Sequence, residues 1–138
     1  MRHVSRFTIL LAVIALASCG LMVPHGDFAI TVMVKTSAHP LYGIGQSIGY
    51  VVNGVEGEAL TLTRGTTYAF GVNAPGHPFY LSTNIAGGSG FPGEITAGVT
   101  GSRTELGLLT FTPDMSTPST IYYNCGAHLD MGGTITVQ

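Results

Sequence analysis

Short apolar runs separated by glycine- and proline-rich turns extend along most of this chain, and they restrict the folds open to it. Each run is long enough for a β-strand but too short for a stable helix, and several alternate apolar with polar or small residues. Eight such runs follow residue 27, at 28–34, 47–52, 60–63, 67–72, 79–82, 108–111, 119–123 and 134–137. With 138 residues there is room for one domain. The pattern predicts a single all-β domain, a sandwich or barrel.

The apolar positions within these runs predict which side chains form the core. The inward-facing candidates are Phe28, Ile30, Leu60, Leu62, Tyr68, Phe70, Phe79, Leu81, Leu109, Phe111, Ile121, Tyr123, Ile135 and Val137. A glycine-rich stretch at 86–93 lacks the Lys-Ser/Thr ending and the helix of a phosphate-binding loop. We interpret it as a flexible connection on the surface.

The N-terminus has the organisation of an export signal. A basic segment at residues 2–6 precedes an apolar run at 7–17, which is too short to span a bilayer and fits a signal peptide. The run ends in Leu-Ala-Ser before Cys19, which resembles the bacterial lipobox, whose Cys becomes the acylated first residue. An ordinary secretory signal cut near Ser18 is the alternative. We expect an exported lipoprotein, held at a membrane through Cys19 on the periplasmic or cell-surface side.

These signals divide the chain into a signal peptide at 1–18, a lipidated tether at 19–27 and a folded domain at 28–138. Without the signal peptide only three strong bases remain, Lys35, Arg64 and Arg103, against seven carboxylates. A domain so sparsely charged and mildly acidic has no basic patch for a phosphate backbone. We therefore do not expect nucleic acid to be a partner.

Cys125, His128 and Met131 follow one another at three-residue intervals in the connection between the last two runs. A thiolate, an imidazole and a thioether form a soft ligand set that suits copper. A type-1 copper site needs a second imidazole, and His77, just before the run at 79–82, can supply it. A single thiol in an exported domain is a liability unless it is occupied, which a bound metal would explain.

Two segments of the chain resemble the cupredoxins, the small blue copper proteins of the amicyanin and plastocyanin type. Residues 60–77 follow that family's strand-Gly-strand-His pattern, and residues 122–137 follow its hairpin with Cys-x-x-His-x-x-Met. The resemblance implies an eight-stranded Greek-key β-sandwich with one type-1 copper ion at one end. It also implies the ligands His77, Cys125, His128 and Met131. Many members place Asn after the first His, whereas this chain has Pro78.

The resemblance implies a monomeric one-electron carrier that exchanges electrons with a redox partner protein, and not an enzyme. Copper delivery and a structural lipoprotein without a redox role remain alternative functions. For the site, the alternatives are zinc, a catalytic Cys-His nucleophile and a cupredoxin-like fold that has lost its metal. We expect His25 and His39 to be exposed histidines of the tether and of a loop.

Overall fold

The computed structural model describes residues 26–138, which form ten β-strands. The strands are β1 (Phe28–Val34), β2 (Ile48–Val52), β3 (Val55–Glu56), β4 (Leu60–Leu62), β5 (Tyr68–Asn73), β6 (Phe79–Ser82), β7 (Val99–Thr100), β8 (Leu106–Phe111), β9 (Thr120–Cys125) and β10 (Gly133–Val137). Within residues 26–138 there is no helix that could cross a bilayer. The predicted signal peptide, Cys19 and His25 lie outside the described residues.

The strands form two sheets that enclose one core, which confirms the predicted all-β sandwich. One sheet has the order β3-β2-β1-β5-β8-β7 and the other the order β4-β10-β9-β6. Two pairs are parallel, β1 with β5 and β4 with β10, and the rest are antiparallel. Strands distant in sequence thus lie side by side, as they do in Greek-key connections.

All eight predicted strands are present, and the two additional strands are short edge pairings. β3 folds back on β2 through Asn53 and Gly54, whose φ angles of 49° and 86° suit the turn that favours Asn-Gly. β7 pairs with β8 at the other edge of the same sheet. Two-residue strands carry too little alternation to be recognised as strands from sequence.

The core contains most of the predicted inward-facing side chains, and only Phe28 and Tyr68 are partly buried. Tyr50 packs edge-on against Phe79, with ring centroids 5.2 Å apart, and Phe79 stacks on Tyr123 at 5.9 Å. Each fully buried large apolar side chain contributes about 1.5–3 kcal/mol. Cys125 and Met131 belong to the same buried cluster. Residues 125–132 contain three of the four predicted metal ligands, and we call them the metal loop. Two of these ligands lie in the core, so the loop is attached to the end of the core.

Two expectations about loops are wrong. His39 is 3% exposed, because its ring lies against Gly49 and Gly57, where any side chain would collide with it. The stretch 86–93 is not simply a surface connection, since Gly87 and Gly88 are buried against the metal loop. In both cases glycine permits a close approach of chain segments that the sequence pattern does not reveal.

Candidate metal centre

Three metal-ligating side chains meet at one end of the sandwich. Phe79 at the start of β6 lies opposite Cys125 at the end of β9. This pairing places His77, two residues before β6, beside the thiol. His128 returns to the same point from within the metal loop. The Nδ1 atoms of His77 and His128 lie 3.8 and 3.7 Å from Cys125 Sγ.

The distances between the three donor atoms would allow them to bind one shared metal ion. All three donor atoms lie within 4.8 Å of one another. Two ligands bound to one ion at roughly 2.3 Å (sulfur) and 2.0–2.1 Å (nitrogen) are about 3.5–3.8 Å apart at tetrahedral to trigonal angles. The two sulfur–nitrogen distances match that value. His77, Cys125 and His128 therefore form a group that could hold a metal ion.

The environment of His77 favours ligation over protonation. Burial lowers the pKa of His77, and the neighbouring His128 lowers it further, while Glu105 raises it in part. A neutral imidazole is the form that binds metal. Cys125 is fully buried, whereas both histidines are partly exposed, so the site has a closed sulfur side and an open imidazole side.

Met131, the fourth predicted ligand, lies near the end of the metal loop and is fully buried in the cluster that contains Cys125. Its carbonyl accepts a hydrogen bond of 2.7 Å from the Tyr50 N–H, which attaches this end of the loop to β2. A thioether is a flexible side chain that can serve as a soft donor.

Hydrogen bonds between segments hold the ligands in place. The Pro78 carbonyl accepts a hydrogen bond of 2.8 Å from the Gly126 N–H, and the Ala127 N–H lies 3.4 Å from Cys125 Sγ as a donor. Pro78 has no side-chain donor, but its carbonyl joins the two ligand-bearing segments. The Tyr50 hydroxyl donates to the His77 carbonyl at 2.8 Å. Burial, with a smaller effect of Cys125, raises the pKa of Tyr50 well above its usual value, so it stays a donor.

The stretch 86–94 covers the loop from the other side. Gly88 N–H donates to the Cys125 carbonyl at 2.8 Å, and Asp130 N–H donates to the Ala86 carbonyl at 2.7 Å. The Phe91 ring lies on Gly126, where a methyl group would overlap it. The metal loop is consequently bonded on both sides and has little freedom to move.

Sequence reasoning missed Tyr50 and Lys35. Lys35 is 5% exposed and its ammonium bonds the Asp130 carbonyl, although 95 residues separate the two. Burial lowers the pKa of Lys35, and Asp130 partly offsets this effect. Neither residue belongs to a recognisable local motif. The only available signal was that Lys35 is the sole lysine of the chain and directly follows an apolar run.

Fold and site together define a β-sandwich protein with a candidate metal centre at one end. No family model and no solved structure matches the chain. The chain is similar to Protein Skeletor of Drosophila melanogaster, with 27% identity over 69% of this chain. That alignment covers 20% of isoforms B/C and 10% of isoforms D/E. The chain thus spans a fifth or less of the relatives it matches.

Proposed function

We propose that this protein is a type-1 copper protein that carries single electrons, with His77, Cys125, His128 and Met131 as copper ligands. The observation that supports it most is the approach of two imidazole Nδ1 atoms to within 3.8 Å of one buried thiol. Two imidazoles, one thiolate and a thioether are the donor set of blue copper sites. Copper bound there would supply a one-electron redox couple.

Copper fits the donors better than zinc does. Structural zinc sites take four ligands from Cys, His and carboxylates, and catalytic sites take three plus water. Among residues 26–138 the group contains three such side chains, and the next soft donor in the loop is the Met131 thioether. Thioether is a ligand for copper rather than for zinc.

Burial of the thiol argues against the nucleophile alternative and against copper delivery. A reactive cysteine is partially exposed so that a substrate can reach it, whereas Cys125 has no exposed surface. Transfer of the ion itself would require the loop to open and expose two buried sulfur ligands. Electron transfer requires only a rigid site and a partly exposed ligand, which His77 and His128 provide.

We further propose that the protein is exported and anchored by acyl chains on Cys19, as the lipobox-like segment indicates. The domain would then act as a monomer at a membrane surface and exchange electrons with a partner protein. Its low charge gives no reason to expect nucleic acid among its partners.

The visible absorption and EPR spectra of the copper-loaded protein test the proposal. We expect intense thiolate-to-copper charge transfer in the wild type and its loss in Cys125→Ser, because a hydroxyl is not an equivalent donor. Met131→Leu is the matched variant, since it conserves buried volume and removes only the thioether. It should stay coloured, with a higher reduction potential. A colourless wild-type protein with a tetragonal Cu(II) spectrum would refute the copper assignment.

A further inference from the structure

The only lysine of the chain is buried beneath the metal loop with its charge surrounded by carbonyl groups. Lys35 follows β1 and is 5% exposed. Its Nζ donates to the carbonyls of Leu41 at 2.9 Å, Ile44 at 2.6 Å and Asp130 at 2.9 Å. An ammonium has three N–H donors, so every donor of this group is used inside the protein.

These three bonds join two segments that are not neighbours in sequence. Leu41 and Ile44 belong to the connection between β1 and β2, whereas Asp130 belongs to the metal loop. The Gln46 N–H donates to the Leu129 carbonyl at 3.2 Å, which joins the same two segments nearby. Lys35 thus links the metal loop to the connection between β1 and β2.

Asp130 is the residue on which these contacts converge. Its φ of 57° is unusual for a residue with a side chain. Its N–H donates to the Ala86 carbonyl, and its own carbonyl accepts from Lys35. The Asp130 side chain packs over Gly45, where a methyl group would overlap the carboxylate. The peptide units on either side of Asp130 are therefore each held by a hydrogen bond, the first to Ala86 and the second to Lys35.

We propose that Lys35 is a positioning residue for the metal centre: its ammonium fixes the peptide between Asp130 and Met131 and thereby the Met131 ligand. This inference rests on the copper function proposed above. Removal of the ammonium would leave three inward-facing carbonyls without their donor. The Asp130 backbone would then relax from its left-handed conformation, and Met131 would move with it.

The test compares Lys35→Met with Arg64→Met. Arg64 is the matched control, because its guanidinium also bonds backbone carbonyls, those of Asp114 and Thr117, near the opposite end of β9. In the metal-free proteins, Lys35→Met should speed hydrogen exchange of the Asp130 amide about tenfold relative to Arg64→Met. In the copper-loaded proteins, it should change the EPR and charge-transfer spectra, because the Met131 thioether is displaced from the metal.

A folded Lys35→Met protein with the spectra and the Asp130 exchange of the control would overturn the inference. The metal-free measurement decides it even if the wild type fails to form a coloured copper site, a result that would refute only the proposed function. If Lys35→Met does not fold, the wild type still provides a test. Its single lysine ammonium should show slow proton exchange by ¹⁵N NMR, and rapid exchange would overturn the inference.

Discussion

Gly126 shows how closely the metal loop is packed at the scale of one residue. It lies between Cys125 and His128, is buried, and carries the Phe91 ring on its Cα face. The need for glycine is steric here, because the overlap is with Phe91 and not with its own backbone.

Gly126→Ala should lower the free energy of unfolding by about 1–3 kcal/mol, the usual effect of adding a methyl group to a filled site. Urea unfolding of the metal-free protein measures this change. The double variant Gly126→Ala/Phe91→Ala is the control, and its loss should be smaller than the sum of the two single losses. Additive losses would mean that the Phe91 contact is not the cause.

At the scale of elements, the connection from β6 to β7 packs against the metal loop and supports it. The Arg103 guanidinium carbon lies 4.0 Å from the centre of the Phe91 ring, and its Nε lies 3.1 Å from a Glu94 carboxylate oxygen. Ser102 donates to the same carboxylate at 2.7 Å. The Glu94 side chain thus orders Arg103, which in turn covers Phe91 above Gly126.

The hydrogen bonds of the Glu94 carboxylate predict that the free energy of unfolding depends on pH in the acidic range. The hydrogen bond from Arg103, with a further one from Ser102, lowers the pKa of Glu94 in the folded protein. The stability from this pair is therefore complete above the ordinary Glu pKa of about 4.3 and is lost as the pH falls through the lower folded pKa. Glu94→Gln should be less stable than the wild type at neutral pH, and the difference should shrink as the pH falls through the folded pKa of Glu94.

Thermal unfolding across that pH range measures the difference between the two proteins. Glu56 and Asp114 also have lowered pKa values. Both residues are present in the wild type and in Glu94→Gln, so their contributions cancel in the difference between the two proteins. A constant difference between wild type and Glu94→Gln at every pH would contradict the assignment.

At the scale of the whole molecule, the two proposed uses of cysteine are separate. Cys125 is enclosed in the folded domain, and Cys19 precedes the described residues. Acyl chains would hold the protein at a membrane because each buried methylene contributes about 0.8 kcal/mol and two chains suffice for stable anchoring.

Cys19→Ala should block lipobox processing and move the protein out of the membrane fraction, while the copper spectrum of the folded domain stays unchanged. Fractionation, mass spectrometry of the N-terminus and visible absorption measure these effects. Wild-type protein recovered from the exported fraction in soluble, unacylated form would contradict the anchor. A disulfide between Cys19 and Cys125 would contradict both roles.

Much of the architecture is determined by local patterns in the sequence. Alternating apolar residues between glycine and proline turns predict the eight longer strands and nearly all core side chains. The reason is that every second side chain of a strand points toward the core. The donor types of the metal loop are likewise local, because Cys125, His128 and Met131 lie in one short segment.

Only the tertiary structure decides which distant groups complete the site. The approach of His77 to Cys125 depends on the pairing of β6 with β9, and the contact of Lys35 with Asp130 spans 95 residues. His39 and Gly88 are buried because other segments pack on them, which composition does not indicate. Alternation of side chains specifies which face of a strand is buried, whereas the partner of a loop is set by how the sheets pack.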